Sequence, residues 1–124
     1  MTKSSLALLL ALAALVVSTG GCAFSVPDIT TVPEHPTFEV DVKPLLADHC
    51  GLCHGYPADR GAPNQFRVDT YADKDGVQGV ASVAEELVSV TDEGEMPPSA
   101  AWGDGVGPNG RELLRRWLAD GSPP

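Results

Sequence analysis

The chain has 124 residues, which suits one domain, and its 17 acidic against 8 basic side chains give a formal charge of −9. That balance excludes a nucleic-acid backbone as the natural partner, since such binding calls for clustered Lys and Arg. It is compatible with a basic protein partner and equally with an acidic face that keeps a domain soluble.

Residues 1–21 read as a targeting segment. Lys3 is the one charge among them, Leu6 to Val17 is an unbroken apolar run, and the small residues Ser18, Thr19, Gly20 and Gly21 precede Cys22. The run is too short for a mature membrane span but suits the apolar region of a signal peptide. Thr19-Gly20-Gly21-Cys22 resembles the lipobox of bacterial lipoproteins, although Thr19 stands where that motif prefers an aliphatic residue. The resemblance implies that Cys22 is the lipidated mature N-terminus and that the protein is held on the periplasmic side of a membrane. Ordinary secretory cleavage nearby is the alternative. Residues 22–37 hold Pro27, Pro33 and Pro36 and no sustained periodicity, which predicts a flexible tether leading to a domain over 38–124.

A helix is predicted from about Asp41, with Pro44 tolerated in its first turn and Val42, Leu45, Leu46, His49 and Cys50 on one side. It should finish near Cys53 and His54, with Gly55 beyond. Residues 55–65 are turn-rich. Phe66 to Tyr71 has no second strand to pair with, so an extended segment laid on the core is expected. Helical spacing returns through Val80, Val83, Ala84, Leu87 and Val88, with Glu85 and Glu86 turned outward. A loop over 92–107 carries Met96-Pro97-Pro98. In the last helix Asn109 is the expected cap with Glu112 as its partner, Leu113, Leu114, Trp117 and Leu118 form the apolar face, and Gly121 terminates it. The fold class is therefore all-α, with three or more short helices and long loops. A domain of about 85 residues so rich in Gly and Pro needs a staple or a large buried partner.

Cys50-Gly51-Leu52-Cys53-His54 is a C-x-x-C-H sequence, the attachment signature of c-type haem. One helical turn separates the two thiols, so both can form thioethers at a porphyrin edge, and the adjacent imidazole of His54 can bind the iron. Zinc would need a fourth ligand, for which His49 or His35 has no familiar spacing. A redox dithiol would sit in a β-α-β frame that this sequence lacks. A Cys50–Cys53 disulfide would leave His54 idle. Met96, stiffened by Pro97 and Pro98, is the only methionine left after the signal and the candidate for the second axial position, with His35 or His49 as substitutes. Its competing role is to fill a gap in the core.

The whole pattern resembles small exported cytochrome c domains of the planctomycete and myxobacterial kind. Val42 to His54 matches V-x-P-L-L followed by C-x-x-C-H, Val68 to Tyr71 the aliphatic-Asp-Thr-Tyr segment, Met96 to Pro98 the M-P-P, and Glu112 to Gly121 the last helix E-L-L-x-x-W-L-x-x-G. The stretch Trp102 to Gly110 departs from it as a glycine-rich insertion. The resemblance implies helices wrapped around one covalently held haem c, with iron between His54 and Met96 and with Leu113 and Trp117 at the crossing of the first and last helices or against the haem. It implies an electron carrier exchanging with redox protein partners, not an enzyme. The alternatives are a haem module that binds or senses a small ligand, and a structural lipoprotein without haem.

Overall fold

The computed structural model describes residues 26–98 and 105–124. The expected signal segment and Cys22 lie outside those residues, as do residues 99–104, among them the first three of the stretch Trp102 to Gly110. Among the described residues the chain is helical and forms no strand; only two isolated bridges, Phe66 with Gln78 and Lys74 with Val77, join extended pieces. No described helix is long and apolar enough to cross a membrane.

A π-helical turn, Phe38–Val42, runs directly into helix α1, Lys43–His49. The helical backbone therefore starts three residues before Asp41. Thr37 explains the early start: its carbonyl accepts from the amides of Asp41 (3.0 Å) and Val42 (3.1 Å), while the Asp41 carboxylate accepts from the Thr37 amide at 2.8 Å. Phe38, Val42, Leu45, Leu46 and His49 are buried along one side of this unit, as their spacing requires. The single helix expected through His54 is broken at Cys50, whose φ is −120°, and resumes as the short helix α2, Gly51–His54.

Residues 66–71 lie on the core but bend at Val68, Asp69 and Tyr71, and they form a bridge only at their start, where the amide of Arg67 donates to the Gln78 carbonyl (3.0 Å) and that of Gln78 to the Gln65 carbonyl (2.9 Å). Gly79 is forced by crowding, because a Cβ there would run into the Ala72 carbonyl. A 3-10 turn, Val80–Val83, then leads into helix α3, Ala84–Asp92. Buried Ala84, Leu87, Val88 and Thr91 face helix α4, Gly107–Ala119, whose buried side is Leu113, Leu114 and Trp117.

Helix α4 begins two residues before Asn109, so Asn109 is not its cap. The capping group comes from far away in sequence: Asp28 accepts from the amides of Asn109 (2.9 Å) and Gly110 (3.0 Å). Glu112 is turned to Arg116 (2.9 Å) instead of completing a capping box. Gly121 ends the helix as expected, left-handed at φ 83°, with the Ser122 amide returning to the Trp117 carbonyl at 2.9 Å.

The segment expected as a tether is, from Asp28 onward, a strap along α4. Ile29 and Val32 pack on the core, Pro36 is fully buried, and Arg116 donates to the carbonyls of Val32 and Pro33. Proline-rich sequence with no periodicity looks like a linker, yet its rigidity also suits a segment laid against a helix. At the strap's far end His35 Nδ1 meets Asp120 Oδ2 at 3.0 Å, and this bond followed by the Asp120 charge holds the imidazole above its ordinary value near 6.5. A raised folded-state value means that the contribution is full below pH 6.5 while Asp120 is ionised, and fades as the pH rises through the folded value. The difference in urea midpoint between the wild type and His35→Gln should therefore shrink between pH 5.5 and pH 8.5.

Candidate functional site

The break at Cys50 gives the C-x-x-C-H segment its shape. The Cys50 amide still donates to the Leu46 carbonyl (2.8 Å), while the Cys50 carbonyl accepts from Cys53 (3.1 Å) and His54 (2.8 Å). One residue thus closes α1 and opens α2. The following loop fixes this turn in place: the Asp59 amide donates to the Cys53 carbonyl (3.0 Å) and the Val68 amide to the His54 carbonyl (3.0 Å). Arg67, buried beside it, is clamped by Asp69 through two 2.6 Å bonds and lies 4.3 Å from the centre of the Tyr56 ring.

Two adjoining cavities open beside α2. The first, about 280 Å³, is walled by Phe66, Val83, Leu87 and Val90, with Cys50, His54, Thr91 and Met96 at its edges and the polar ends of Gln65, Gln78 and Glu86 on its lining. The second, about 270 Å³, is lined by His49, Cys50, Cys53 and His54, by Met96, Pro97 and Pro98, and by residues 60–63. Cys50, His54, Pro63 and Met96 border both. Each volume lies near the lower end of the roughly 300–1,000 Å³ usual for small-molecule sites, and jointly they fall within it.

Cys50 and Cys53 are both free thiols and both half-buried. Burial, and then the neighbouring Cys53, pushes the Cys50 thiol up to about 12. A thiol so poor in thiolate is ill-suited to redox exchange, which proceeds through the ionised form. Burial also pushes His54 below its ordinary value near 6.5, leaving a neutral ring at pH 7, the state in which imidazole binds metals. Its Nδ1 is buried without a hydrogen-bond partner, and its ring packs against Phe66 at 5.4 Å between centroids. An orphaned buried nitrogen of this kind costs about 1–3 kcal/mol. His49 has the same orphaned nitrogen and is more deeply buried. Among the described residues no three of His, Cys, Asp and Glu are grouped as a cage for a metal ion, so the zinc alternative gains no geometry.

Met96 lies 40% exposed at the rim of both cavities, and its amide donates to the Val90 carbonyl at the end of α3 (3.1 Å). Four of the expected site residues, Cys50, Cys53, His54 and Met96, are thus brought together. His35 is not; it is exposed and paired with Asp120. Leu113 and Trp117 line neither cavity. They belong to the core beneath, where Trp117 packs on Phe38 at 6.5 Å between centroids and donates from Nε1 to the Pro123 carbonyl at 2.8 Å. Helix α4 contacts the Phe38–Val42 turn there.

No family model, curated protein or solved structure matches the chain. The residues lining the two cavities suit a flat apolar group that carries a metal: two thiols, a neutral imidazole, a thioether, and aliphatic and aromatic side chains. Sequence periodicity showed α3 facing the core but did not reveal that Val83, Leu87 and Val90, at steps of four and three, form a second face toward the cavity. Phe66, Gln65 and Gln78 had no signal, because the short bridge that aligns them follows no alternating pattern.

Proposed function

We propose that the protein is a mono-haem c-type cytochrome that carries electrons outside the cytoplasm, with a cytochrome c-like arrangement of its helices. The observation that carries this reading is the convergence of Cys50, Cys53, His54 and Met96 on two adjoining apolar cavities. Cys50 and Cys53 would hold haem through thioethers, His54 would bind the iron, and Met96 would take the second axial position. A haem held there supplies a one-electron ferric–ferrous couple. The chain's own part is to fix the imidazole, exclude water with Phe66, Leu87 and Val90, and keep a polar opening at Gln65, Gln78 and Glu86. The N-terminal segment supports export and lipidation at Cys22, and redox proteins would be the partners.

The 40% exposure of Met96 favours one second reading, in which a small molecule displaces the thioether and the site binds or senses that ligand. Expression of the full chain in a host that matures c-type cytochromes separates the two. One covalent haem by mass and a low-spin spectrum in both oxidation states are expected for the electron carrier. A high-spin spectrum favours ligand binding, and a mass without haem rejects both. Met96→Ala should convert the spectrum to high spin and lower the potential by on the order of 0.1 V, a fraction of the roughly 0.8 V over which axial ligands tune haem. Unchanged spectra and potential would remove Met96 from the iron.

A further inference from the structure

The strap is fastened to the start of α4 at Asp28. Its carboxylate takes the Asn109 and Gly110 amides, and the Asn109 side chain answers by donating to the Ile29 carbonyl at 2.8 Å. The first amides of a helix have no partner within it, and Val106, at the start of α4, supplies no side-chain bond. Asp28 therefore does the capping from 81 and 82 residues away in the chain. Gly107, left-handed at φ 79°, lies directly against this carboxylate; a Cβ there would collide with the Asp28 side chain.

Two residues earlier Gly105, left-handed at φ 69°, is a near neighbour of Pro97: a Cβ added to it would come into ordinary contact with Pro97 Cδ, at 3.7 Å. Pro97 is buried, directly follows Met96 and borders the second cavity with His49. Asp28 is also near enough to His49 for its charge to act on that imidazole. The cap, the start of α4, Gly105 and Pro97 thus succeed one another in space, and Pro97 is bonded to Met96.

We infer that Asp28 is a positioning residue for Met96: by capping α4 it fixes Gly105 against Pro97 and thereby the presentation of the Met96 thioether to the site. This rests on the haem reading. Detachment of Met96 is the quantity to measure, because an outside ligand takes its place more readily when the loop is less well held.

The experiment uses the full chain matured with haem, in the ferric state, at a temperature where circular dichroism shows every variant folded. Imidazole is the probe, titrated by absorption. Asp28→Ala should raise the apparent affinity for imidazole about fivefold, the factor that a lost cap implies, and weaken the methionine–iron absorption band. Asp28→Asn keeps one of the two acceptor oxygens and should lie midway, at about twofold. Asp120→Asn releases His35 at the strap's other end without touching Gly105 or Pro97, and should leave the affinity at the wild-type value. Wild-type affinity in both Asp28 variants overturns the inference, as does an equal rise in Asp120→Asn, which would mark a general loosening. If Asp28→Ala does not accumulate, Asp28→Asn decides on the same criterion. A wild-type mass without covalent haem would reject the haem reading itself, an outcome distinct from haem present with unchanged affinity.

Discussion

Replacing Cys50 and Cys53 together with alanine is expected to abolish covalent haem entirely, leaving a matured protein whose mass equals that of the polypeptide and its N-terminal modification. The thiols are the only groups at the site able to form the thioethers, and Cys22 is remote from the cavities in sequence and proposed for another role. The second consequence concerns stability. The lining of the two cavities is largely apolar, so a group bound there removes apolar surface from water and adds dispersion contacts. A ligand bound only by the folded state stabilises it, and a covalently tied one cannot dissociate. The variant should therefore melt well below the wild type. Equal melting temperatures with haem present in the wild type alone would show that the helices hold themselves together, and retained covalent haem in the double variant would reject the attachment site.

Trp117→Ala should be the most damaging single change outside the site. Trp117 is fully buried, stacks at a tilt on Phe38, and donates to the Pro123 carbonyl; the same carbonyl accepts the Phe38 amide at 3.0 Å, and the Ser122 carbonyl beside it accepts the Tyr71 hydroxyl at 2.7 Å. One indole thus joins the start of the domain to its end. Large-to-alanine changes at such positions cost about 3–5 kcal/mol, a large share of the roughly 5–15 kcal/mol that holds a typical domain folded. Urea denaturation of the haem-loaded protein measures it. Trp117→Phe, which keeps most of the apolar volume and loses the donor, should cost much less, about 1–2 kcal/mol. A loss below 1 kcal/mol in Trp117→Ala would mean that the C-terminal stitching does not depend on the indole.

Local chemistry made some of this readable in advance. The buried faces of α1 and α4 follow from residue spacing, because a helix repeats every 3.6 residues and Leu45, Leu46, Leu113, Leu114 and Trp117 obey that repeat. Gly121 signals its own turn. The motif at Cys50 to His54 and the proline-flanked Met96 were legible because their side chains have few other uses together. What stayed hidden depends on contacts across long sequence distances. Asn109 is a good capping residue by type, but Asp28 supplies two acceptor oxygens from outside the helix and wins the position. Trp117 carries the marks of a haem-facing residue and of a core residue alike, and in the fold it is fully buried and outside the lining of both cavities. The break at Cys50 is invisible in the periodicity because its amide and carbonyl both keep helical partners.

The strap along α4 alters how far the domain can travel. A free chain from Cys22 to Phe38 would span up to roughly 55 Å when extended. With Asp28 fastened to the first amides of α4, only the steps from Cys22 to Asp28 remain, an upper limit of roughly 20 Å. A domain of this size is itself about 30 Å across. With the proposed lipid on Cys22, the protein is moored rather than tethered: it sweeps a thin layer at the bilayer surface, and lateral diffusion in that layer, not excursion into the surrounding solution, sets which partners it meets.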